Sequence, residues 1–282
     1  MNPGRAPRPE WLKVRAPSGT RAAEVTRTLG RLGLRTVCRD ARCPNAGECW
    51  GAGAATVILL GGVCTRGCAF CGVASGTPVP PDPTEPDRVA RAASELSWRH
   101  VVVTSVTRDD LPDGGSAHFA AVVRSLRRDA PGVTVELLVP DFSGDPDALR
   151  RVIDAAPDIL AHNVETVPRL YPLVRKGADY GRSVGLLRRA ASMAPGLPLK
   201  SGIMVGLGET ECEVLGVFRD LFAAGCRRLT VGQYLPPTKD HFPLVEYVPP
   251  ERFEALGEAA RRIGFENVLS GPLVRSSYYR AG

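Results

Sequence analysis

Lysine is scarce in this chain. Of its 36 basic residues only Lys13, Lys176, Lys200 and Lys239 are lysines. An arginine bias this strong follows from a GC-rich coding sequence as readily as from ligand chemistry. No block of Arg and Lys interleaved with aromatics occurs either, so the formal charge of +6 is not read as a nucleic-acid footprint. A basic surface still favours an acidic protein partner. No apolar run approaches the roughly 18 residues of a membrane span. Met1 to Glu10 lack the apolar core of a secretory signal. Eight cysteines without such a signal point to a reducing cytoplasm, and to metal binding rather than disulfides. At 282 residues and 44% apolar, the chain suffices for one large α/β domain with extensions, or for two small domains.

Three cysteines stand out in Cys64-Thr65-Arg66-Gly67-Cys68-Ala69-Phe70-Cys71, at C-x3-C-x2-C spacing after a buried-strand run at 56–60. A short loop of this kind can point three sulfurs at one centre. Three thiolates are one short of the four that close a structural zinc site or an ordinary iron–sulfur cluster. No fourth Cys or His lies close by, so one metal position stays open for binding and reducing a ligand. Zinc ribbons use C-x2-4-C pairs answered by a second pair, which this tight triplet does not match. Upstream, Cys38, Cys43 and Cys49 form a second triplet at C-x4-C-x5-C. Pro44, Asn45 and Gly47 are turn formers, so this reads as a loop wrapped around something. One set could serve zinc; two three-thiol sets favour two clusters.

Residues 1–17 read as irregular, with Trp11 able to dock. Val25, Leu29 and Leu32 predict a helix over 20–32. Short β-branched runs at 56–61, 100–105, 133–138, 158–164, 199–205 and 228–234 then alternate with amphipathic stretches such as 86–97 and 211–224. That rhythm predicts an α/β fold, a parallel sheet with crossover helices. Six units are too few for a full eight-unit barrel, so the expectation is an open partial (β/α)6 barrel of the TIM type. A flat doubly wound sheet is the alternative that periodicity does not separate. A last helix at 250–263 leads to a short strand near 267–269. The expected divisions are 1–53, an extension carrying the second triplet; 54–249, the partial barrel; and 250–282, a helix and tail that close it.

Function in such sheets sits at the carboxyl ends of the strands. There, Gly114 and Gly115 would let a backbone approach a ligand closely. Asn163 and Glu165 follow the fourth strand. His162 beside them could be a base, although a lone strand-end His is more often scaffolding. Gly206 and Gly208 imitate a phosphate loop without its lysine, and read as a close backbone approach to a ligand. Cys212 and Cys226 lie outside both triplets and read as packing cysteines.

The first triplet, with Phe70 before its last thiol, resembles the signature of the radical S-adenosylmethionine enzymes. The whole set of segments resembles the lipoyl synthase family within that superfamily. The match runs from Pro9-Glu10-Trp11-Leu12-Lys13 to Arg275-Ser276-Ser277-Tyr278, and the C-x4-C-x5-C triplet is its discriminating part. The resemblance implies that Cys64, Cys68 and Cys71 hold a [4Fe–4S] cluster that cleaves S-adenosylmethionine to a 5′-deoxyadenosyl radical. Phe70, Gly114, Gly115, Asn163, Glu165, Gly206 and Gly208 would contact that cofactor. Cys38, Cys43 and Cys49 would hold an auxiliary [4Fe–4S] cluster with Ser277 as its fourth ligand, and Arg275 would offset its negative charge. The implied reaction inserts two sulfur atoms from that cluster at carbons 6 and 8 of an octanoyl chain on a lipoyl-carrier protein. Implied partners are that carrier, an electron donor such as ferredoxin or flavodoxin, and an iron–sulfur carrier protein that rebuilds the cluster. Gly62 and Thr107 stand where the family commonly has aspartates, and Pro236 where a polar residue is usual, which bears on cofactor affinity. Two other functions compete: a sulfur inserter similar to biotin synthase acting on a free small molecule, and a two-cluster electron carrier. The carrier would leave the six βα units unexplained.

Overall fold

The computed structural model describes residues 8–13, 19–40 and 43–279. Much of the stretch expected to be irregular, 1–17, lies outside them. A 3-10 turn at Glu10–Leu12 corrects one expectation: Trp11 is 42% exposed, and Leu12, at 1%, is the residue that docks. An aliphatic side chain can be buried without the partner an indole N–H requires.

Helix α1 (Thr20–Arg31) buries Val25 and Leu29, as their spacing demands. Strand β1 (Arg35–Thr36), helix α2 (Val37–Asp40), helix α3 (Ala46–Gly51) and strand β2 (Ala54–Leu59) follow. Short strands β3 (Val63–Cys64) and β4 (Ala74–Ser75) bracket the first thiol triplet. From there helices and strands alternate: α4 (Glu85–Glu95), β5 (His100–Ser105), α5 (Ser116–Asp129), β6 (Thr134–Leu138), α6 (Pro146–Asp154) and β7 (Ile159–Ala161). The series continues with α7 (Tyr171–Val174), α8 (Tyr180–Met193), β8 (Leu199–Val205), α9 (Glu211–Ala223), β9 (Arg228–Gln233), α10 (Pro250–Ile263) and β10 (Asn267–Gly271). Asp145, Asp179 and Thr210 cap α6, α8 and α9 through their side chains, the last in a capping box with Glu213.

The main sheet has the order β1-β2-β5-β6-β7-β8-β9-β10. Every pairing in it is parallel except that of β1 with β2. Among the described residues no pairing joins β1 to β10, so the barrel is open. The six expected strands form its centre, and β10 adds a further parallel strand beside β9. Strand β7 is shorter than the expected 158–164. Glu165 takes φ 66°, the chain leaves the ladder, and one bridge to Ile203 resumes it. Among the described residues no helix is long and apolar enough to cross a membrane.

Side chains alternate across each strand. Val135 and Leu137 join the apolar core, while Glu136 between them faces the other way. Lys200 Nζ lies 2.8 Å from Glu136 Oε1, and His100 Nε2 lies 3.2 Å from Oε2. Burial alone would raise the Glu136 carboxyl, but Lys200 and His100 prevail and hold it below the usual glutamate range. Its stabilising contribution is therefore present above the unfolded glutamate pKa, and is lost as pH falls through the lower folded value. Lys200→Met should cost about 3–5 kcal/mol, because Glu136 is left as a buried charge without its lysine. Lys200→Met/Glu136→Gln should recover most of it. Urea unfolding at neutral pH measures both, and a wild-type midpoint for Lys200→Met would contradict the expectation.

Candidate functional site

The two thiol triplets sit at opposite ends of β2. Cys64, Cys68 and Cys71 follow its carboxyl end. Cys64 Sγ accepts backbone N–H bonds from Arg66 at 3.4 Å and Thr107 at 3.3 Å. The second half of the loop is held from elsewhere: Ala69 N–H donates to Val174 O at 2.9 Å, Phe242 N–H to Ala69 O at 2.8 Å, and His241 Nε2 lies 3.1 Å from Cys71 O. Burial pushes the Cys68 thiol up and the Cys71 thiol to about 11, and neighbouring thiols add to both. All eight cysteines are free thiols. Phe70 packs half-buried against the core.

Around this loop, at the ends of β5 and β7 and beyond, buried polar atoms stand without partners: Ser105 Oγ, His162 Nε2, Asn163 Oδ1, Thr166 Oγ1 and Arg175 Nε. Such atoms are costly to bury unsatisfied, so they fit a polar ligand that completes them. Arg175 Nη1 donates to Asn163 O at 3.0 Å and to Tyr171 Oη at 2.8 Å. Burial opposes its charge, while Tyr171, Glu165 and Cys68 favour it. Burial raises the neighbouring Glu165 carboxyl, against the pull of Arg175. A buried cation beside Cys68 suits an anionic group held by the triplet. Asn163 and His162 are candidates of the sequence itself; Arg175 is not, because only the fold brings it beside them. His162 Nδ1 lies 2.8 Å from Val139 O, and burial lowers its pKa to about 4, the neutral state of scaffolding.

The glycines have packing reasons of their own. Gly114 and Gly115 adopt φ 59° and 87°, and a Cβ there would meet Phe142 and Leu60. Gly206, at φ 101°, lies against Gln233 and Glu246. Its N–H and that of Leu207 donate to Glu209 at 2.6 and 2.9 Å, so these donors are already taken. Gly208 faces Val245. Gly62 leaves room that the Arg35 guanidinium fills. Cys226 is fully buried with Sγ 3.3 Å from Leu199 O, as a packing cysteine would be. Cys212 is exposed on α9, which corrects its reading as one.

The second triplet lies at the amino end of β2, not at the carboxyl ends where functional residues were expected. Cys38 is on α2 and Cys49 on α3, so two short helices replace the expected loop. Cys38, Cys43, Cys49, Ala54, Ala55, Thr56, Arg275 and Ser277 line one small open pocket. Burial pushes the Cys38 thiol to about 11, opposed by a Thr56 backbone N–H, and raises Cys43 and Cys49 as well. The tail is knitted into place. Asn45 Nδ2 donates to Leu273 O at 2.7 Å, Tyr278 Oη to Glu48 Oε1 at 2.8 Å, and the Tyr279 ring stacks on His100 at 4.9 Å. Arg275 bonds the carbonyls of Val274 and Pro272, and no carboxylate pairs with it among the described residues. Burial lowers its pKa and the Cys43 thiol opposes this. Three thiols, a serine hydroxyl and a cation without an acid fit an anionic metal–sulfur group. Among the described residues no three His, Cys, Asp or Glu gather tightly enough for one metal ion, so each triplet is more open than a single-ion site.

Residues 58–221 match the model of the radical S-adenosylmethionine superfamily. The chain is similar to the lipoyl synthase of Rubrobacter xylanophilus, 53% identical over 98% of this chain and 86% of that one. It is likewise similar to that of Geobacter sulfurreducens, 54% identical over 98% and 90%. Among solved structures, HydG, a maturase of the [FeFe]-hydrogenase, has a TM-score of 0.58 at 14% identity over 90% of this chain and 63% of that one. Methylornithine synthase has 0.53 at 15% identity over 90% and 79%. At these identities the two structures speak to the fold alone.

Proposed function

The chain belongs to the lipoyl synthase family of the radical S-adenosylmethionine superfamily, and we propose that its two triplets divide that family's reaction between the ends of the barrel. The reaction inserts two sulfur atoms, at carbons 6 and 8, into a protein-bound octanoyl chain. When bound, a [4Fe–4S] cluster with S-adenosylmethionine supplies hydrogen abstraction from unactivated carbon, which no side chain can perform, and an auxiliary [4Fe–4S] cluster supplies the sulfur.

Cys64, Cys68 and Cys71 hold the first cluster. Asn163, Glu165 and Arg175 bind and orient the amino-acid part of the cofactor, Phe70 packs beside it, and the 114–115 and 206–208 turns shape its surroundings. Cys38, Cys43, Cys49 and Ser277 hold the auxiliary cluster, and Arg275 offsets its charge. A serine oxygen is a harder ligand than a thiolate and holds soft iron less firmly. In this reading 1–53 and the tail build the auxiliary site, 54–249 carries the cofactor site, and 250–282 closes the barrel. Closure keeps water from the reacting chain. An octanoylated carrier domain is the substrate. A ferredoxin or flavodoxin supplies electrons, and an iron–sulfur carrier protein restores the auxiliary cluster.

One observation supports this reading most: Ser277 lines the same cavity as Cys38, Cys43 and Cys49, although it comes from the far end of the chain. A free small-molecule substrate, as for a biotin synthase-like enzyme, is disfavoured because whole-chain relatives are lipoyl synthases. The test is anaerobic incubation with an octanoylated carrier domain, S-adenosylmethionine and a reductant. Mass spectrometry should show a carrier that has gained two sulfurs, made by protein holding roughly eight irons per chain. Protein with one zinc and no labile sulfide, leaving the carrier unchanged, would sink the reading.

A further inference from the structure

One side chain fastens the first half of the 64–71 loop. The Arg66 side chain is only 8% exposed and spans two carboxylates. Its Nε and Nη2 donate to Asp109 at 2.7 Å each. Its Nη1 lies 2.9 Å from Asp141 Oδ2, and its Nη2 2.8 Å from Asp141 Oδ1. Asp109 belongs to the loop after β5 and Asp141 to the loop after β6. The Asp141 side chain is 0% exposed and also takes Arg182 at 3.3 Å. Gly177 packs on the Arg66 stem, where a Cβ would lie 3.5 Å away. Next to Arg66, the Thr65 N–H and Oγ1 both donate to Thr107 O at 3.0 Å, and Thr65 Oγ1 also lies 3.1 Å from Asp109 Oδ2. The Arg66 and Thr107 N–H groups that reach Cys64 Sγ are carried on this frame. Cys68 and Cys71 belong to the other half of the loop, which α7 and the 241–242 segment hold.

We propose that Arg66 is the positioning residue of the 64–71 loop: by bridging Asp109 and Asp141 it sets Cys64, and the two N–H donors on its sulfur, before any metal binds. The proposal rests on the reading of this loop as a cluster site. The planar fork of arginine can serve two carboxylates at once through charge-assisted bonds; a lysine ammonium, a point donor, cannot reproduce that bridge. Without the bridge, metal binding must itself order the loop, at an entropic cost. Hydrogen bonds to cluster sulfurs help set the reduction potential, so loosening these two makes the cluster harder to reduce.

The test compares Arg66→Lys, Arg66→Met, Arg66→Met/Asp141→Asn and Arg182→Met in reconstituted holoprotein. The readouts are iron release to a chelator, the reduction potential of the cofactor cluster by EPR, and thermal unfolding. Both Arg66 single variants should lose about half their iron roughly ten- to a hundredfold faster than wild type, as when outer partners of a metal ligand are removed. Their cofactor cluster should shift to a more negative potential, with auxiliary-cluster release unchanged. The double variant relieves the unpaired Asp141 charge, so it should regain thermal stability without regaining iron retention or potential. Arg182→Met, which shares Asp141 but not the loop, should match wild type in both cluster readouts. Recovery of iron retention together with stability in the double variant would overturn the proposal, as would wild-type behaviour of Arg66→Lys. A wild-type protein that gains no cofactor cluster overturns the cluster reading itself, and this proposal with it.

Discussion

Cys68→Ala should abolish S-adenosylmethionine cleavage and sulfur insertion together, whereas Cys43→Ala should keep cleavage and lose insertion alone. The asymmetry comes from the placement of the triplets. Cys68 shares its loop with Cys64 and Cys71, beside the unpartnered Asn163 and Arg175 atoms at the carboxyl ends of the strands. Cys43 lines a separate cavity at the amino end of β2. Removing either thiol leaves the supporting contacts of the other site untouched, so the two losses should not mix. Separate assays of 5′-deoxyadenosine and of carrier mass read them independently. Both signals should fall to background in Cys68→Ala. In Cys43→Ala the first should stay close to wild type while the second falls to background. Sulfur insertion by Cys43→Ala from its own atoms would show that the donor lies elsewhere.

Ser277→Cys should assemble an auxiliary cluster yet form little lipoyl product. Thiolate binds iron more firmly than a serine oxygen does, and sulfur can leave only from a cluster able to come apart. Ser277 sits among three thiols whose burial favours a bound metal over free thiolate, so a fourth sulfur completes a stable set. Ser277→Ala leaves that position to water and should lower both cluster retention and product. Removal of 275–282 takes away Arg275, Ser277 and the Tyr279 stack on His100 together. That truncation should still cleave S-adenosylmethionine slowly, with insertion lost. Full lipoyl formation by Ser277→Cys would contradict a role for weak ligation. Full activity of Ser277→Ala would remove Ser277 from the ligand set.

Local patterns carried much of this structure. The thiol spacings marked both triplets, and the βα rhythm marked the six central strands, while their order in the sheet comes from the fold. The readings that shifted depended on the path of the backbone. The sequence pattern runs the fourth strand through 163–164, and nothing in Asn163-Val164-Glu165 announces that Glu165 will take a left-handed turn. Cys38 and Cys49 looked like loop residues because Pro44 and Gly47 dominate the local signal; the six-residue helix α3 forms there all the same. Arg66 and Arg175 were unremarkable among so many arginines. Their meaning lies in which strand ends meet, and that is a property of the assembled sheet. Ser277 was a tail hydroxyl until family resemblance singled it out, and the cavity then placed it beside the thiols.

Strand β2 joins the two sites and so acts as a yardstick. Its six residues span roughly 16 Å at about 3.3 Å per step, with the second triplet's pocket against its first three, Ala54 to Thr56. Both ends of that ruler are pinned. Its parallel register with β5 fixes one edge and the antiparallel pair with β1 the other. Loops around the barrel can grow with modest loop-closure cost. Two residues added inside β2 would instead move one triplet about 7 Å further from the other without removing any ligand. The molecule is thus exposed to an error of length as well as of chemistry. The reach of the carrier's acyl arm has to match one short strand.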